Sequence, residues 1–323
     1  MKNSKNTLKL KNVKKTSNDL SKFIKSQVIE NYRRKGVVIG LSGGLDSSVT
    51  ASLSVKSLGS QNVLGLILPE KESNPNSYKL AKSLAKRLKI KYEIIDITKI
   101  LDSYQIYKLR EDIVKKYFSK FNQKCKYRLS IPQYNLENSG LRIPFLEIED
   151  TIKQIHKFKI TSYDFSTLSS LTSIKHRTRM TMLYSFAEKN NLVVVGSTNK
   201  SEYIQGYFVK YGDGGVDIEP IQNLYKTQIY ELGNHLKLPK KILQRKASPD
   251  TWSLETSDEE FFFGIDYETL DLLLYALEKK LSLTKIAKLT DINKNQIKIL
   301  KKNLQKRKNI SSHMRELSPS LKL

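Results

Sequence analysis

Short apolar runs alternate with amphipathic stretches along the first hundred residues of the chain. Each run has the length of a buried strand, and each stretch between two runs has its apolar residues at helical spacing. Strands that alternate with helices are typical of a parallel sheet covered on both faces. The pattern therefore predicts an α/β fold with a doubly wound parallel sheet. Its first strands are predicted at residues 36–41, 63–68 and 92–97, with helices at 47–58 and 77–88.

The alternation stops near residue 102 and returns only after residue 172. Residues 102–172 are polar, rich in tyrosine and helical in patches. A structureless loop of that length would be improbable inside a compact domain, so we expect a small helical insertion. Beyond it, the pattern predicts a helix at 178–189, a strand at 192–196 and a helical C-terminal part at 265–315.

The N-terminal residues are rich in lysine, and amphipathic spacing begins only at Leu20. We therefore expect a flexible basic arm at residues 1–18 and an opening helix at 20–32. The predicted organisation is one domain at 19–315, followed by a short tail at 316–323.

The first predicted strand ends in a glycine turn that opens a helix. Its sequence is Ser42-Gly43-Gly44-Leu45-Asp46-Ser47-Ser48. Such a turn presents unpaired backbone N–H groups to an anion, and the helix dipole favours negative charge there. No lysine stands where a Walker A loop would have one, and an acid beside bound phosphate suits a Mg²⁺ ligand. The alternative is an ordinary strand-to-helix turn capped by serine.

A second polar cluster follows the predicted strand at 192–196. Glu202 lies just beyond it, and the carboxyl ends of parallel strands meet at one edge of the sheet, so Glu202 can share a metal with Asp46. Asp213 and Asp217 then lie in a glycine-rich turn, which favours close approach of the backbone to a ligand. Lys226 opens the next predicted helix.

Composition narrows the range of partners. The chain has 57 Lys and Arg against 32 Asp and Glu, a net charge of +25. This charge suits a polyanion, but lysine is frequent along the whole chain, and we favour lysines spread over solvated faces. Residues 286–297 have helix-turn-helix spacing, yet we expect no nucleic acid partner. No apolar run approaches ~20 residues, so we expect no membrane span and a cytoplasmic location. Cys125 is the single cysteine, which excludes an intrachain disulfide.

In this order, the motifs resemble those of the ammonia-dependent NAD(+) synthetases, a family of the SGGxDS ATP-pyrophosphatase superfamily. The resemblance rests on the glycine turn and on three further segments, 175–180, 196–202 and 206–217. Four more segments add to it: 221–228, 248–259, 267–271 and 312–315. It implies an adenine nucleotide alpha-hydrolase-like, or Rossmann-like, fold and a homodimer. It also implies a reaction in which ATP adenylates the carboxylate of deamido-NAD, and ammonia then displaces AMP to give NAD.

The resemblance carries site roles to particular residues. ATP, as co-substrate, would contact Gly40, Ser42, Gly43, Gly44, Asp46, Ser47, Ser48, Arg177, Thr198, Lys226 and Ser248. Deamido-NAD would contact Tyr207, Lys210, Asp213 and Asp217, and the catalytic residues would be Asp46, Lys226, Asp213 and Asp217. Mg²⁺ would bind Asp46 and Glu202. Residues 248–259 would form a mobile lid, with Trp252 placed to cover a ligand.

Two departures from the family pattern keep other functions open. Glu255 stands where the family loop commonly has glutamine, and residues 102–172 exceed what compact members have there. An amide ligase for another carboxylate is therefore one alternative, and a tRNA-modifying ATP pyrophosphatase is a second. No glutaminase domain is visible, which favours free ammonia as the nitrogen source unless a separate glutaminase subunit supplies it.

Overall fold

The computed structural model describes residues 7–132 and 144–321. Its centre is a parallel sheet of four strands, β1 Gly36–Gly40, β2 Val63–Ile67, β3 Lys91–Ile94 and β7 Leu192–Val195. The strands lie in the order β3-β2-β1-β7. β1 pairs on one side with β2, where Val37 lies opposite Val63, and on the other with β7, where Val37 lies opposite Val193. The predicted fold class is confirmed.

Alternate residues of β1 face two separate cores. Val37 and Ile39 pack against one set of helices, while Val38 packs against the other. The first set consists of α1 Val13–Lys25, α2 Leu45–Leu58, α3 Pro75–Leu88 and α8 Lys226–His235. The second consists of α4 Thr98–Ser103, α5 Ile106–Tyr117 and α6 Ser162–Asn190. Helices on both faces explain why the strands read as nearly continuous apolar runs.

The opening helix begins at Val13, so the prediction of a flexible arm over residues 1–18 is wrong for residues 7–18. The side chain of Asn12 caps α1 by accepting a hydrogen bond from the backbone N–H of Lys15 at 2.8 Å. Leu8 is buried among the C-terminal helices. One cap and one apolar anchor thus order a segment whose lysines suggested mobility. Residues 1–6 lie outside the described residues.

The insertion is only partly helical, which corrects the prediction for residues 102–172. After α5 comes a three-stranded antiparallel sheet, formed by β4 Lys126–Ser130, β5 Phe145–Glu149 and β6 Ile155–Lys159. Tyr127 and Leu129 on β4 pack with Leu146 and Ile148 on β5 in a core of their own. Each strand has only five residues, and the alternation of polar and apolar residues over so short a run was outweighed by the helical patches around it. Residues 133–143 lie outside the described residues.

Three C-terminal helices form a further core and confirm the predicted helical C-terminus. They are α10 Tyr267–Glu278, α11 Leu283–Thr290 and α12 Lys294–Ile310. Two short helices, α7 Lys200–Gln205 and α9 Lys240–Leu243, complete the fold. Within residues 7–132 and 144–321, no helix is both long and apolar enough to cross a bilayer.

Candidate active site

A cavity of about 530 Å³ lies at the carboxyl end of the parallel sheet. Parallel sheets commonly bind ligands at this edge. Eleven of the predicted site residues line it: Gly40, Ser42, Gly44, Asp46, Ser47, Thr198, Glu202, Tyr207, Asp213, Lys226 and Ser248. Residues from both glycine-rich strand ends therefore meet at one cavity, as the sequence predicts.

The glycine turn presents donors at the N-terminus of α2. Gly43 has φ +74°, and a Cβ there would lie 2.3 Å from the carbonyl oxygen of Ser77, so this turn requires glycine. The Oγ atoms of Ser42 and Ser47 lie 2.9 Å apart at the cavity wall. The hydroxyl of Ser48 instead donates to the carbonyl of Gly44 at 2.6 Å and is buried. The turn thus combines hydroxyl donors with the unpaired N–H groups of a 14-residue helix.

Three charged side chains converge beside this turn. The Nζ of Lys226 forms an ion pair with Oδ2 of Asp46 and lies 3.7 Å from Oε1 of Glu202. Asn199 joins the two acids, since its Nδ2 donates to Oδ1 of Asp46 at 3.1 Å and its backbone N–H to Oε2 of Glu202 at 3.2 Å. Two carboxylates and one ammonium therefore lie within direct contact, next to the predicted phosphate site.

Burial shapes the protonation of this group. Burial alone would lower the pKa of Lys226, but the charges of Asp46 and Glu202 outweigh it and raise that pKa. Burial, followed by repulsion from Asp46, raises the pKa of Glu202 well above its ordinary value. Two acids beside one ammonium group repel each other, so a second cation bound between them would be stabilised.

The donor set suits a divalent cation held jointly by protein and phosphate. Mg²⁺ prefers oxygen ligands and usually keeps several waters while bound by one or two carboxylates and substrate phosphates. Asp46 and Glu202 supply two carboxylates at the cavity wall. No group of three or more His, Cys, Asp or Glu side chains that could hold a metal occurs in the described part of the chain. The residues present therefore fit a Mg²⁺ ion that is bound partly by these two carboxylates and partly by the oxygens of a triphosphate.

Two further acids, Asp213 and Asp258, line the cavity. Asp213 accepts a hydrogen bond from the backbone N–H of Val209 at 2.8 Å and lies 3.4 Å from Nδ1 of His176. Tyr207 donates to Asp258 at 2.8 Å, and Tyr267 donates to the other oxygen of Asp258 at 2.9 Å. The Nζ of Lys226 lies 5.2 Å from the centre of the Tyr267 ring, and the charge of Asp258 acts on Lys226, so these tyrosines and Asp258 adjoin the predicted phosphate site.

Five predicted site residues are not part of the cavity lining: Gly43, Ser48, Arg177, Lys210 and Asp217. Asp217 accepts hydrogen bonds from Tyr184 at 3.0 Å and from the backbone N–H of Val194 at 2.8 Å, which anchors the turn to β7. Lys210 donates to the carbonyl of His313 at 2.8 Å. Arg177 is exposed, and its Nε donates to the carbonyl of Lys210 at 3.3 Å. The structure does not bring these side chains to the site.

Several cavity residues escaped the sequence reasoning. Arg179, Arg245 and Lys246 add positive charge to the lining, and His176 adds an imidazole. The 175–180 motif contains both Arg177 and Arg179, but only the rotational position of α6 decides which of them faces the cavity. Arg245 donates to Ser77 at 2.6 Å, a contact between residues far apart in the chain that no local pattern indicates.

The segment predicted as a lid packs against the insertion. Trp252 is only 5% exposed, and the guanidinium of Arg110 lies 4.5 Å from the centre of its ring. The backbone N–H of Leu254 donates to the carbonyl of Tyr127 on β4 at 3.0 Å. Ser248 and Thr251 line the cavity, whereas Trp252 does not, so its predicted position over a ligand is not observed.

A buried charge cluster contacts the backbone of this segment at Thr251. We define it as Glu70, Glu72, Arg110 and Lys175. Glu72 accepts from Arg110 and from Lys175, each at 2.5 Å, and Glu70 accepts from Lys175 at 2.8 Å. Arg110 and Lys175 both donate to the carbonyl of Thr251, at 3.1 and 3.2 Å. The insertion and α6 therefore fix one wall of the cavity through buried cations.

The chain is similar in sequence to a protein family and to several known proteins. The family model described as NAD synthase matches residues 16–143 and 133–317. The NH(3)-dependent NAD(+) synthetase of Methanocaldococcus jannaschii is 38% identical over 90% of this chain and 93% of its own length. That of Rhizobium rhizogenes is 36% identical over 86% of this chain and 83% of its own length.

Two solved structures are similar over nearly their whole length. The NH3-dependent NAD synthetase of Campylobacter jejuni, solved with nitrate, has a TM-score of 0.63 and 25% identity over 97% of this chain and 100% of that one. The NMN synthetase of Francisella tularensis has a TM-score of 0.66 and 25% identity over 97% of this chain and 99% of that one.

Proposed function

The chain belongs to the NAD synthase family, and from this membership we propose that it amidates deamido-NAD to NAD. ATP is the co-substrate, ammonia is the nitrogen donor, and AMP and pyrophosphate are the other products. The enzyme is thus a ligase that forms a carbon–nitrogen bond. The observation that carries the proposal is the contact of Asp46, Lys226 and Glu202 beside the glycine turn, at one end of a cavity large enough for a nucleotide.

In the first step, the carboxylate oxygen of deamido-NAD attacks the α-phosphorus of ATP, and the bond to pyrophosphate breaks. The N-terminus of α2 and the hydroxyls of Ser42 and Ser47 would bind the departing pyrophosphate. Lys226, which is held protonated, would stabilise the charge that develops on it. Asp46 and Glu202 would hold Mg²⁺, which when bound neutralises part of the phosphate charge that repels the incoming carboxylate.

In the second step, the nitrogen of ammonia attacks the acyl carbon, and the bond between that carbon and the AMP oxygen breaks. The electron pair leaves with AMP. Thr251 and Ser248 form the adjacent cavity wall, and their fixed position would exclude water from the reactive adenylate. Exclusion of water lets ammonia react in preference to hydrolysis.

A second candidate substrate follows from one of the similar structures. The Francisella protein is called an NMN synthetase, and the corresponding substrate would be nicotinate mononucleotide, which lacks the adenylate half of deamido-NAD. The same acyl-adenylate chemistry would amidate either molecule. The relatives that match most of this chain are named NAD(+) synthetases, which favours the dinucleotide.

One assay tests both candidates. Purified protein is supplied with ATP, Mg²⁺ and ammonium, and with either deamido-NAD or nicotinate mononucleotide, while AMP and the amide product are followed. We expect kcat/KM to be higher for deamido-NAD. A higher kcat/KM for the mononucleotide would show that nicotinate mononucleotide is the preferred substrate. AMP release that needs RNA would instead indicate an RNA-modifying enzyme.

The remaining partners are proposed on the same basis. The relatives are named NH(3)-dependent synthetases, which supports ammonia taken from solution without a separate glutaminase. A homodimer and a cytoplasmic location complete the proposal. Light scattering of the purified protein at micromolar concentration tests the dimer, which a monomeric mass would contradict.

A further inference from the structure

His176 lines the cavity, and the two steps above do not use it. It is half-buried on α6, and its Nδ1 lies 3.4 Å from Oδ1 of Asp213. A Cβ at Gly212 would lie 2.9 Å from the Cβ of His176, so the glycine-rich turn packs directly on the base of the ring. The imidazole is therefore held between a helix and a turn, with one nitrogen directed at a carboxylate.

We propose that His176 accepts the protons released by ammonium during amide formation, while Asp213 orients its ring. This inference rests on the proposed function. Ammonia is almost entirely ammonium at neutral pH, and a protonated nitrogen cannot attack a carbon. One proton must leave before the new C–N bond forms, and a second must leave the nitrogen as AMP departs. Nδ1 faces Asp213, so Nε2 is the nitrogen that takes each proton and then passes it to water.

The charges around His176 suit a proton acceptor. Burial lowers the pKa of His176, Asp213 opposes that change, and Arg179, Lys175 and Arg177 on the same helix lower the pKa further. The net effect is a lowered pKa, so the ring is neutral near pH 7 and has a lone pair to offer. Exposed Asp213 gives an ammonium ion a negative partner at the same place.

A neighbouring acid does not compete for that ammonium ion. Burial raises the pKa of Glu219 to about 8, and Asp213 adds to the shift, so Glu219 is uncharged near neutral pH. It accepts a hydrogen bond from the backbone N–H of Thr198 at 3.0 Å. Asp213 is then the charged acid beside His176, and the pair has one anion and one neutral base.

The test compares His176→Gln with the wild-type protein and with His235→Gln, a control at an exposed histidine. For His176→Gln we expect kcat/KM for ammonium at pH 7 to fall by about 10²–10⁴-fold. KM for ATP should not change. The remaining rate of His176→Gln should rise about tenfold per pH unit between about pH 6 and 8, because the variant depends on free ammonia. Wild-type activity should decline only as pH falls through the lowered pKa of His176.

Hydroxylamine separates a chemical role from a structural one. Its nitrogen is already unprotonated at neutral pH and needs no base before it attacks. We therefore expect His176→Gln to form hydroxamate at a rate within a few-fold of wild type. Equal losses with ammonium and hydroxylamine, or no loss with ammonium, would overturn the proposal. His176→Asn serves as a second variant if the first does not fold.

Isotope exchange keeps this test apart from the proposed function. Exchange of labelled pyrophosphate into ATP, dependent on the carboxylate substrate, reports adenylation alone and should be equal in wild type and His176→Gln. If wild type shows no exchange with deamido-NAD, the proposed substrate fails. The ammonium and hydroxylamine comparison then proceeds with whichever carboxylate supports exchange. If exchange falls in the variant as far as amidation does, His176 is not specific to the nitrogen step.

Discussion

Glu72→Gln is the sharpest probe of how the insertion supports the cavity. Glutamine preserves the shape of the side chain and removes its charge. In wild type, Glu72 accepts from Arg110 and Lys175 at 2.5 Å each and from the hydroxyl of Tyr127 at 2.8 Å. Arg110 and Lys175 are fully buried. Among the described residues, the substitution leaves Glu70 as the carboxylate that acts on both cations, and Glu70 pairs directly with Lys175 alone.

The expected loss of stability is large for an isosteric change. Removal of one partner from a buried ion pair typically costs about 3–5 kcal/mol, because the other charge stays buried without compensation. With a urea slope of about 3 kcal/mol/M, the unfolding midpoint should fall by roughly 1–1.7 M. Glu111→Gln is the matched control. Glu111 lies on α5 next to Arg110 and pairs with Lys115 at 2.7 Å on the exposed face, so its substitution should cost under about 0.5 kcal/mol.

The contribution of Glu72 to the free energy of unfolding changes with pH in a defined direction. Burial would raise the pKa of Glu72, but Arg110 and Lys175 outweigh it, and the pKa lies below its ordinary value of 4.5. The stabilisation is therefore fully present above pH 4.5 and is lost as pH falls through the lowered pKa. The difference between wild type and Glu72→Gln should persist at pH 7 and shrink in acid.

Trp252 fluorescence provides the assay. It is the single tryptophan of the chain and stacks on Arg110, so its emission reports directly on the buried charge cluster. We expect buried-type emission in the ligand-free wild type and a red shift in Glu72→Gln. If the two substitutions at Glu72 and Glu111 cost the same, or if Glu72→Gln costs less than about 1 kcal/mol, the buried charges do not stabilise this wall as argued.

Three further predictions follow from the site. Asp46→Asn and Glu202→Gln should each lose most of the activity at saturating Mg²⁺ while circular dichroism stays unchanged, and wild-type turnover in either would contradict the metal assignment. Ammonium should support the reaction and glutamine should not, so efficient use of glutamine that Cys125→Ser abolishes would refute the choice of donor. The pKa of Glu219 is raised to about 8, so its contribution to stability is greatest below pH 4.5 and declines as pH rises through 8. Glu219→Gln should therefore flatten urea midpoints measured over that range, and an unaltered slope would show that the acid is ionised at neutral pH.

The sequence predicted those parts of the site that depend on local geometry. A glycine turn between strand and helix has few possible conformations, so Ser42 and Asp46 could be placed from the chain alone. Parallel strands bring their carboxyl ends together, which accounted for the approach of Glu202 to Asp46. Both inferences required a strand direction and a turn, and both elements had strong patterns.

The parts that were missed depend on tertiary contacts. Arg177 and Arg179 differ only in the face of α6 they occupy, and the amphipathic pattern of that long helix is too weak to decide between them. Asp217 stands in a glycine-rich turn like Asp213, yet hydrogen bonds from Val194 and Tyr184 draw it to the sheet. Trp252 stands among polar residues, and its burial depends on contacts with the insertion, whose strands have only five residues each.

The strand order also has a consequence for synthesis of the chain. β1 lies between β2, which follows it closely, and β7, which ends at Val195 after the insertion and α6. At about 5–20 residues per second, roughly 10–30 s separate the emergence of β1 from that of β7 at the ribosome. Over that interval Val37, Val38 and Ile39 have one open sheet edge, a template for pairing with other chains. We therefore expect β1 of the nascent chain to be prone to pair with other chains until β7 emerges, whatever the stability of the finished fold.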